Sequence, residues 1–301
     1  MAIRTIAIVG ANGTLGTQLL SSLLQAGTFD VTVIKRAGSA SPPPPDARIA
    51  TVDAEFSFDS LVEALKGQDA AIAAFPLRDP DAHLRLARAA AAAGVKLYVP
   101  ADFGSIDAEN PRARELVALY RHKLAVRELC QQLAEAHAHF SWTGVVCGHF
   151  FEWGLREHLF HADLQKRTIE ILDGGRHRAS ATTLPRVGEA VVRILNLHGS
   201  EAIRNRTLFL QSFCITQLEL VRALEKGSGA KWTVKDTDSE TFIEERRAKA
   251  DAGDFMAIED LVFAIGTLHA DWTGREDFAM DLLGFEDEDL DAVVASVLAQ
   301  P

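Results

Sequence analysis

Cysteine is scarce in this chain of 301 residues, which contains only Cys130, Cys147 and Cys214. An odd number of widely spaced cysteines, with no Cys-x-x-Cys pair, argues against a disulfide framework and against a cysteine-based structural zinc site. The pattern is typical of a reducing compartment, so the cytoplasm is the predicted location.

The chain also lacks a long apolar run and an excess of positive charge. No apolar segment approaches the roughly 18 residues that cross a bilayer, and the N-terminus has none of the features of a secretory signal peptide. Lys and Arg number 31 against 42 Asp and Glu, which gives a net charge of -11. Such a surface repels phosphate backbones. We therefore expect a soluble protein whose partners include neither a membrane nor a nucleic acid.

The composition, with 48% hydrophobic and 24% charged residues, is that of a folded globular protein. In the first half, short apolar and β-branched runs alternate with helical patterns. This alternation indicates βαβ units and a parallel sheet covered on both faces. One long helix is predicted from Pro111 to about His139. Strands are predicted at 6–9, 31–34, 49–52, 70–75, 96–99 and 140–146.

The alternation loosens after residue 150, where helical patterns become more frequent than strand patterns. We predict an α/β fold with a doubly wound parallel sheet in residues 1–150. Segments near 185–211 are expected to pack back on that sheet. Residues 151–301 are expected to form a smaller, mostly helical region that binds the substrate.

A glycine-rich turn joins the first predicted strand to the first predicted helix. Its spacing is GxxGxxG, in which the first glycine permits a tight turn, the second lets backbone N–H groups approach a pyrophosphate, and the third lets helix and strand pack closely. An ordinary left-handed turn is the alternative, but the flanking strand and helix supply the context of a Rossmann-like dinucleotide site. The residues predicted to bind the dinucleotide here are Gly10, Asn12, Gly13, Thr14, Leu15 and Gly16.

The residues at the end of the second strand determine whether such a site prefers NAD or NADP. NAD-binding chains carry an acidic residue there for the ribose 2′-hydroxyl. This chain has Lys35 and Arg36 instead, and Asp30 lies at the opposite end of the strand. A planar guanidinium can pair with a 2′-phosphate and stack on adenine, although a solvated basic turn is the alternative. We therefore predict NADPH or NADP as the cofactor.

In a doubly wound sheet the ligand site lies beyond the carboxyl ends of the strands. Phe75 and Pro76 follow the fourth strand and are predicted to contact the cofactor. Lys123 follows the fifth strand on the long helix. A lysine beside a nicotinamide can give or take a proton. Taken alone, however, a helix lysine is most often an ordinary solvated side chain.

Four stretches of the chain are informative when taken together: the loop with Arg36, residues 98–104, Lys123 with Arg127, and residues 142–151. They resemble one group of proteins, the NmrA-like and isoflavone reductase-like members of the short-chain dehydrogenase/reductase superfamily. The resemblance covers the first half of the chain well and the second half loosely. The tail segment Leu283-Gly284-Phe285-Glu286 is similar to fungal members.

The resemblance implies roles for individual residues. Lys123 corresponds to the lysine of the active reductases, and Phe150 and Phe151 correspond to a phenylalanine pair beside the nicotinamide. Phe103 belongs to a loop whose usual sequence in that group is Pro-Ser-Glu-Phe-Gly. We predict that Phe103 contacts the cofactor. His149 could give the substrate a second hydrogen bond as a catalytic residue, or it could line the pocket with a structural partner; both interpretations stay open.

The chain departs from the group and the superfamily at several positions. The superfamily's Tyr-x-x-x-Lys is absent, because Leu119 stands four residues before Lys123 and Tyr120 stands three before it, on another side of the helix. Ala101 replaces a hydroxyl residue. His149 stands where related reductases often have a small polar residue. These departures leave the identity of the substrate open.

The expected function is that of an NADPH-dependent reductase acting on a small, aromatic or conjugated carbonyl compound of secondary metabolism. The alternative is a non-catalytic NADP(H)-binding redox sensor of the NmrA type, and the presence of Lys123 favours the enzyme. An epimerase or dehydratase that holds NAD tightly is disfavoured by Arg36. The chain is expected to act as a monomer or a homodimer.

His158 and His161 have helical spacing that could hold a metal ion. The sequence places no cysteine or carboxylate beside them, so we expect an exposed helix face and no metal site.

Overall fold

The computed structural model describes residues 2–42, 44 and 47–299. Its strands are β1 (Thr5–Val9), β2 (Asp30–Arg36), β3 (Arg48–Val52), β4 (Ala70–Ala73), β5 (Leu97–Val99), β6 (Ser141–Val146), β7 (His149–Phe150), β8 (Ala162–Asp163), β9 (Thr168–Leu172), β10 (Arg178–Thr182), β11 (Arg206–Phe209), β12 (Phe213–Thr216) and β13 (Thr233–Thr237). Its helices are α1 (Thr14–Gln25), α2 (Phe58–Leu65), α3 (Pro80–Ala92), α4 (Pro111–Leu116), α5 (Ala118–Ala136), α6 (Phe151–Arg156), α7 (Leu184–Asn196), α8 (Gln217–Ser228), α9 (Ser239–Asp251), α10 (Phe255–His269), α11 (Met280–Leu283) and α12 (Leu290–Leu298).

The chain folds into two compact units, each assembled from separate segments. Unit 1 consists of Met1–Phe103, Arg121–Val145 and Pro185–Leu208. Unit 2 consists of Gly104–Tyr120, Val146–Leu184 and Phe209–Pro301. The assignment of cofactor binding to residues 1–150 and of substrate binding to residues 151–301 stays a prediction.

A seven-stranded sheet in the order β11-β6-β5-β4-β1-β2-β3 organises unit 1. Strand β1 pairs in parallel with β2 and β4, with Ile6 opposite Val31 on one side and opposite Ala70 on the other. Successive side chains of a strand point to opposite faces of the sheet. Ile6, Ala7 and Ile8 are all completely buried, so both faces of the sheet are covered. The predicted α/β fold with a Rossmann-like parallel sheet is confirmed.

The single helix predicted from Pro111 to His139 is wrong, because Val117 interrupts it. Val117 has an extended backbone, with φ -133° and ψ 119°, between α4 and α5. Leu116, Val117 and Tyr120 are all buried in one hydrophobic cluster of unit 2. Packing of these side chains therefore outweighs the helical preference of the surrounding residues.

Unit 2 has more helix than strand, and the strand that the sequence pattern predicts at Thr168–Leu172 is present as β9. Its two three-stranded sheets have the orders β12-β10-β7 and β13-β9-β8. Strand β10 pairs antiparallel with β12, with Ser180 opposite Cys214. Phe151 and Phe213 pack edge to face at 4.6 Å between ring centroids in its core.

Over the residues that the structure describes, none of the helices combines the length and the apolar character needed to cross a lipid bilayer.

The two tyrosines of the chain allow a paired test of the packing. Tyr98 on β5 is completely buried, and its hydroxyl has no hydrogen-bond partner among the described residues. Tyr120 is also completely buried, but its hydroxyl lies 2.8 Å from the Ser105 hydroxyl. Removing an unpaired buried hydroxyl relieves a desolvation cost, whereas removing a paired one loses a hydrogen bond.

We expect Tyr98→Phe to leave the free energy of unfolding unchanged or to raise it by about 1 kcal/mol. The control Tyr120→Phe should lower it by about 1 kcal/mol. Chemical denaturation of both variants measures the difference. An equal loss of stability in both would mean that the Tyr98 hydroxyl has a bonding partner after all.

Candidate functional site

The glycine loop turns sharply from β1 into α1. Gly10 has φ +92°, and a side-chain Cβ there would lie 2.7 Å from the backbone of Ala74. A Cβ on Gly16 would overlap the carbonyl oxygen of Gly10. Both positions therefore require glycine, the first for its backbone conformation and the second for the close approach of helix and strand.

Helix α1 begins without a side-chain cap. Its N-cap residue is Gly13, which supplies no hydrogen bond to the first turn, whereas α2 and α3 are capped by Ser57 and Asp79. Asn12, Gly13 and Thr14 are exposed. An uncapped N-terminus presents backbone N–H groups and the positive end of the helix dipole, which together favour an anion. The exposed loop therefore offers a site for an anion such as a pyrophosphate.

The segment after β2 is tied to this loop. The Asn12 amide donates to the carbonyl of Pro42 at 2.8 Å, and the ammonium of Lys35 donates to the carbonyl of Ser41. Arg36 ends the strand and is exposed. Of the predicted basic pair, Lys35 is engaged within the segment, and Arg36 presents its guanidinium to solvent beside the loop.

A histidine that the sequence analysis did not single out lies under the loop that follows β4. The ring of His83 stacks on Phe75 with 3.8 Å between centroids, and its Nε2 lies 3.3 Å from the carbonyl of Pro76. His83 is completely buried. Burial lowers the pKa of His83 to about 4, against the opposing effects of the Pro76 hydrogen bond and Asp79, while the charge of Lys123 also lowers it. The ring is therefore neutral near pH 7.

Lys123 lies at the carboxyl edge of the sheet, where the sequence places it. Its ammonium donates to the backbone carbonyl of Asp102, the third residue after β5, and lies 3.9 Å from the Asp102 Oδ1 atom. The Nε–H of Arg127, one helical turn further along α5, donates to Oδ2 of the same carboxylate. Asp102, Lys123 and Arg127 are 4%, 8% and 5% exposed. Lys123 is thus a buried lysine, not the solvated one that its helix position alone would predict.

Apolar residues pack beside this cluster and leave a space too narrow for a water molecule. The apolar residues that line this space are Leu77, Pro100, Ala101 and Val126, and the charged ones are Asp102, Lys123 and Arg127. Phe103, the next residue of the loop, is buried and has φ +35°, a conformation that L-residues rarely adopt. The charged side chains are therefore packed directly against apolar neighbours.

The three predicted site residues of unit 2 differ in what they expose. Phe151 is completely buried in a hydrophobic core, so its ring offers no surface to a ligand. Phe150 is half-buried and keeps part of its ring accessible. Contact with the nicotinamide stays a prediction, and only Phe150 of the pair has a surface for it.

His149 packs against helix α10. It hydrogen-bonds to the backbone of Phe263, and a Cβ on Gly266 would overlap its Nε2 atom. That nitrogen is sealed from solvent and has no partner among the described residues. Burial lowers the pKa of His149 to about 4, although the Phe263 hydrogen bond acts in the opposite sense. The geometry favours a structural histidine over a catalytic one.

The expectation of an exposed helix face at His158 and His161 is wrong, because φ values of +61° and +53° place both residues outside any helix. His158 is exposed, whereas His161 is half-buried. Its Nδ1 lies 3.3 Å from Glu170, and its Nε2 lies 3.1 Å from Asp260. Strand β9 and helix α10 bring these carboxylates from distant parts of the sequence. In the described part of the chain, no group of three or more His, Cys, Asp or Glu residues is arranged to hold a metal ion.

Curated relatives cover nearly the whole chain. An oxidoreductase from Penicillium oxalicum, poxI, is 32% identical over 299 residues, which cover 96% of this chain and 92% of the relative. An oxidoreductase from Aspergillus flavus, aprR, is 31% identical over 304 residues, which cover 99% of both chains.

Solved structures share the fold at low sequence identity. A crystal structure of isoflavone reductase has a TM-score of 0.78 at 18% identity and covers 98% of this chain and 99% of its own. A complex of leucoanthocyanidin reductase from Vitis vinifera with NADPH has a TM-score of 0.78 at 15% identity, with 98% and 100% covered. A structure of AtPrR2 with NADP+ and (+)pinoresinol has a TM-score of 0.76 at 18% identity, with 99% of both covered.

A family model agrees with the resemblance found in the motifs. The model described as the NmrA-like family matches residues 3–245, well over half of the sequence. Together with the two fungal relatives, this match shows that the chain belongs to the NmrA-like family.

Proposed function

We propose that this protein is an NADPH-dependent oxidoreductase that reduces a small, aromatic or conjugated carbonyl compound. The observation that carries the proposal is Lys123, a buried lysine held on the Asp102 carbonyl at the carboxyl edge of the parallel sheet. The glycine loop belongs to the same unit. The names of the fungal relatives and the nucleotides bound to the structural neighbours support the same reaction class.

The cofactor would be held by backbone and side chain together. Its pyrophosphate would lie on the uncapped first turn of α1, with N–H groups of Thr14, Leu15 and Gly16 as donors. The exposed guanidinium of Arg36 would pair with the 2′-phosphate, for which its planar shape is suited. The half-buried Phe75 would pack against the bound molecule from the end of β4.

When bound, the cofactor supplies a hydride from the nicotinamide C4 to an electrophilic carbon of the substrate. Lys123 would donate a proton from Nζ to the atom that takes up the resulting negative charge, directly or through a water. A buried ammonium is effective in this role because charges interact more strongly where water is excluded. The carbonyl of Asp102 orients Nζ, and the apolar residues Leu77 and Pro100 packed beside the cluster keep bulk water away.

Arg36→Ala tests the cofactor assignment. The variant should bind NADPH about 10- to 100-fold more weakly, with little change for NADH, because a charge-assisted contact to the 2′-phosphate is lost. Fluorescence titration with both nucleotides measures this. Arg48→Ala is the control, since Arg48 is a 75% exposed arginine at the start of β3. Equal weakening for both nucleotides, or none, would contradict the assignment.

Lys123→Ala tests the chemical role. NADPH oxidation with the best substrate from a panel of conjugated ketones and enones should fall by about 10²- to 10⁴-fold, the usual contribution of a proton donor. NADPH affinity should stay within a few-fold. Arg121→Ala, on the exposed side of the same helix, should keep full turnover.

A variant that keeps full turnover without Lys123 would refute the mechanism. A wild-type protein that binds NADPH tightly and oxidises it with no member of the panel would instead favour the redox-sensor alternative. Binding of a protein partner that differs between the oxidised and reduced nucleotide would then be the next measurement.

A further inference from the structure

We propose that Asp102 and Arg127 are positioning residues for Lys123, and that by sharing one carboxylate between two buried cations they set how readily Lys123 gives up its proton. This inference rests on the proposed function, in which Lys123 is the proton donor. Asp102 and Arg127 would act through the position and the charge state of Lys123, without contacting the substrate themselves.

The contacts tie the three residues into one unit. Lys123 and Arg127 are four positions apart on α5, so their side chains leave the same face of the helix. Arg127 donates to Oδ2 of Asp102, while Lys123 donates to the backbone carbonyl of that residue and stays 3.9 Å from Oδ1. The guanidinium therefore holds the carboxylate directly. The ammonium is held by the main-chain carbonyl and interacts with the carboxylate electrostatically, at a greater distance.

Two titratable side chains that interact electrostatically with Lys123 or Asp102 are uncharged near pH 7. His83 on α3 is neutral near pH 7, because burial, as the main cause, lowers its pKa to about 4. Cys130 on α5 is a neutral thiol, because burial and then the charge of Asp102 raise its pKa. The Arg127 guanidinium is permanently protonated. Asp102 thus contributes one negative charge and Arg127 one positive charge, and their effects on the Lys123 proton oppose each other.

This balance predicts opposite effects for the two single variants. Arg127→Met removes the positive charge that offsets the Asp102 carboxylate, so the Lys123 ammonium should keep its proton to higher pH. Asp102→Asn leaves Lys123 beside an uncompensated guanidinium, so it should lose its proton at lower pH. The double variant removes one charge of each sign and should return close to wild type. A residue with a purely structural role would not produce shifts of opposite sign.

The experiment is an NMR titration of the protein labelled with ¹³C at the lysine ε-carbon, with the Lys123 signal identified by its absence in Lys123→Met. The titration midpoint should rise by about one pH unit or more in Arg127→Met and fall by a similar amount in Asp102→Asn. The charge-matched controls are Arg121→Met and Glu128→Gln, both at exposed positions of α5, and they should leave the midpoint within a few tenths of a unit.

The pH dependence of the activity provides a second test. In the pH profile of NADPH oxidation, the alkaline limb should move in the same directions as the NMR midpoints. Arg127→Lys keeps the charge but loses the planar guanidinium. It should therefore leave the limb in place and lower kcat several-fold, while KM for NADPH stays unchanged.

Shifts of the same sign in the two single variants, or no shift in either, would overturn the inference. If a single variant does not fold, Arg127→Lys and the double variant provide the test. A Lys123 titration midpoint in the double variant that differs from wild type by more than about one pH unit would also overturn the inference. Because the NMR titration needs no substrate, the two failures are distinguishable. Failure of this inference shows in the titration midpoints, and failure of the proposed function shows in the absence of NADPH oxidation.

Discussion

The candidate site depends on the ion pair between the carboxylate of Asp102 and the guanidinium of Arg127. Lys123 and Arg127 are both less than one-tenth exposed, and a buried cation without a counter-charge costs several kcal/mol. Asp102 lies just after β5, so the ion pair with Arg127 fixes the turn at the edge of the sheet against α5. The same residue then offers its main-chain carbonyl to Lys123. One side chain thus allows the burial of two cations, and its backbone directs one of them.

Much of this arrangement could be predicted from the sequence because the signals are local. Gly10 and Gly16 are spaced for a turn and a close approach, and the apolar strand before them reveals the buried parallel sheet. Arg36 is exposed at the end of its strand, as the motif predicts. The position of Lys123 follows from the order of strand and helix. Its burial does not, since that depends on Asp102, which is 21 residues away.

The features that escaped prediction depend on contacts between distant residues. Val117 breaks a helix because its neighbours pack into a core that no local pattern shows. His161 lies between carboxylates that come from 9 and 99 residues away. His83 was a lone histidine among leucines and alanines, and its place at the start of the helix after the fourth strand was the one signal that could have marked it. The sequence leaves His149 undecided between two interpretations, and it gives no sign that the ring packs against Gly266 on α10.

The uncapped start of α1 links ligand binding to folding. A helix with glycine at its N-cap loses about a few tenths of a kcal/mol compared with one capped by serine or aspartate. Helix α1 begins at the glycine loop without a side-chain cap, as α6 and α11 also do, whereas Ser57 and Asp79 cap α2 and α3. An anion bound at the loop would supply the missing hydrogen-bond acceptor and complete the first turn of α1. Because a ligand that binds only the folded state stabilises it, the free energy of unfolding would then rise with the concentration of that anion.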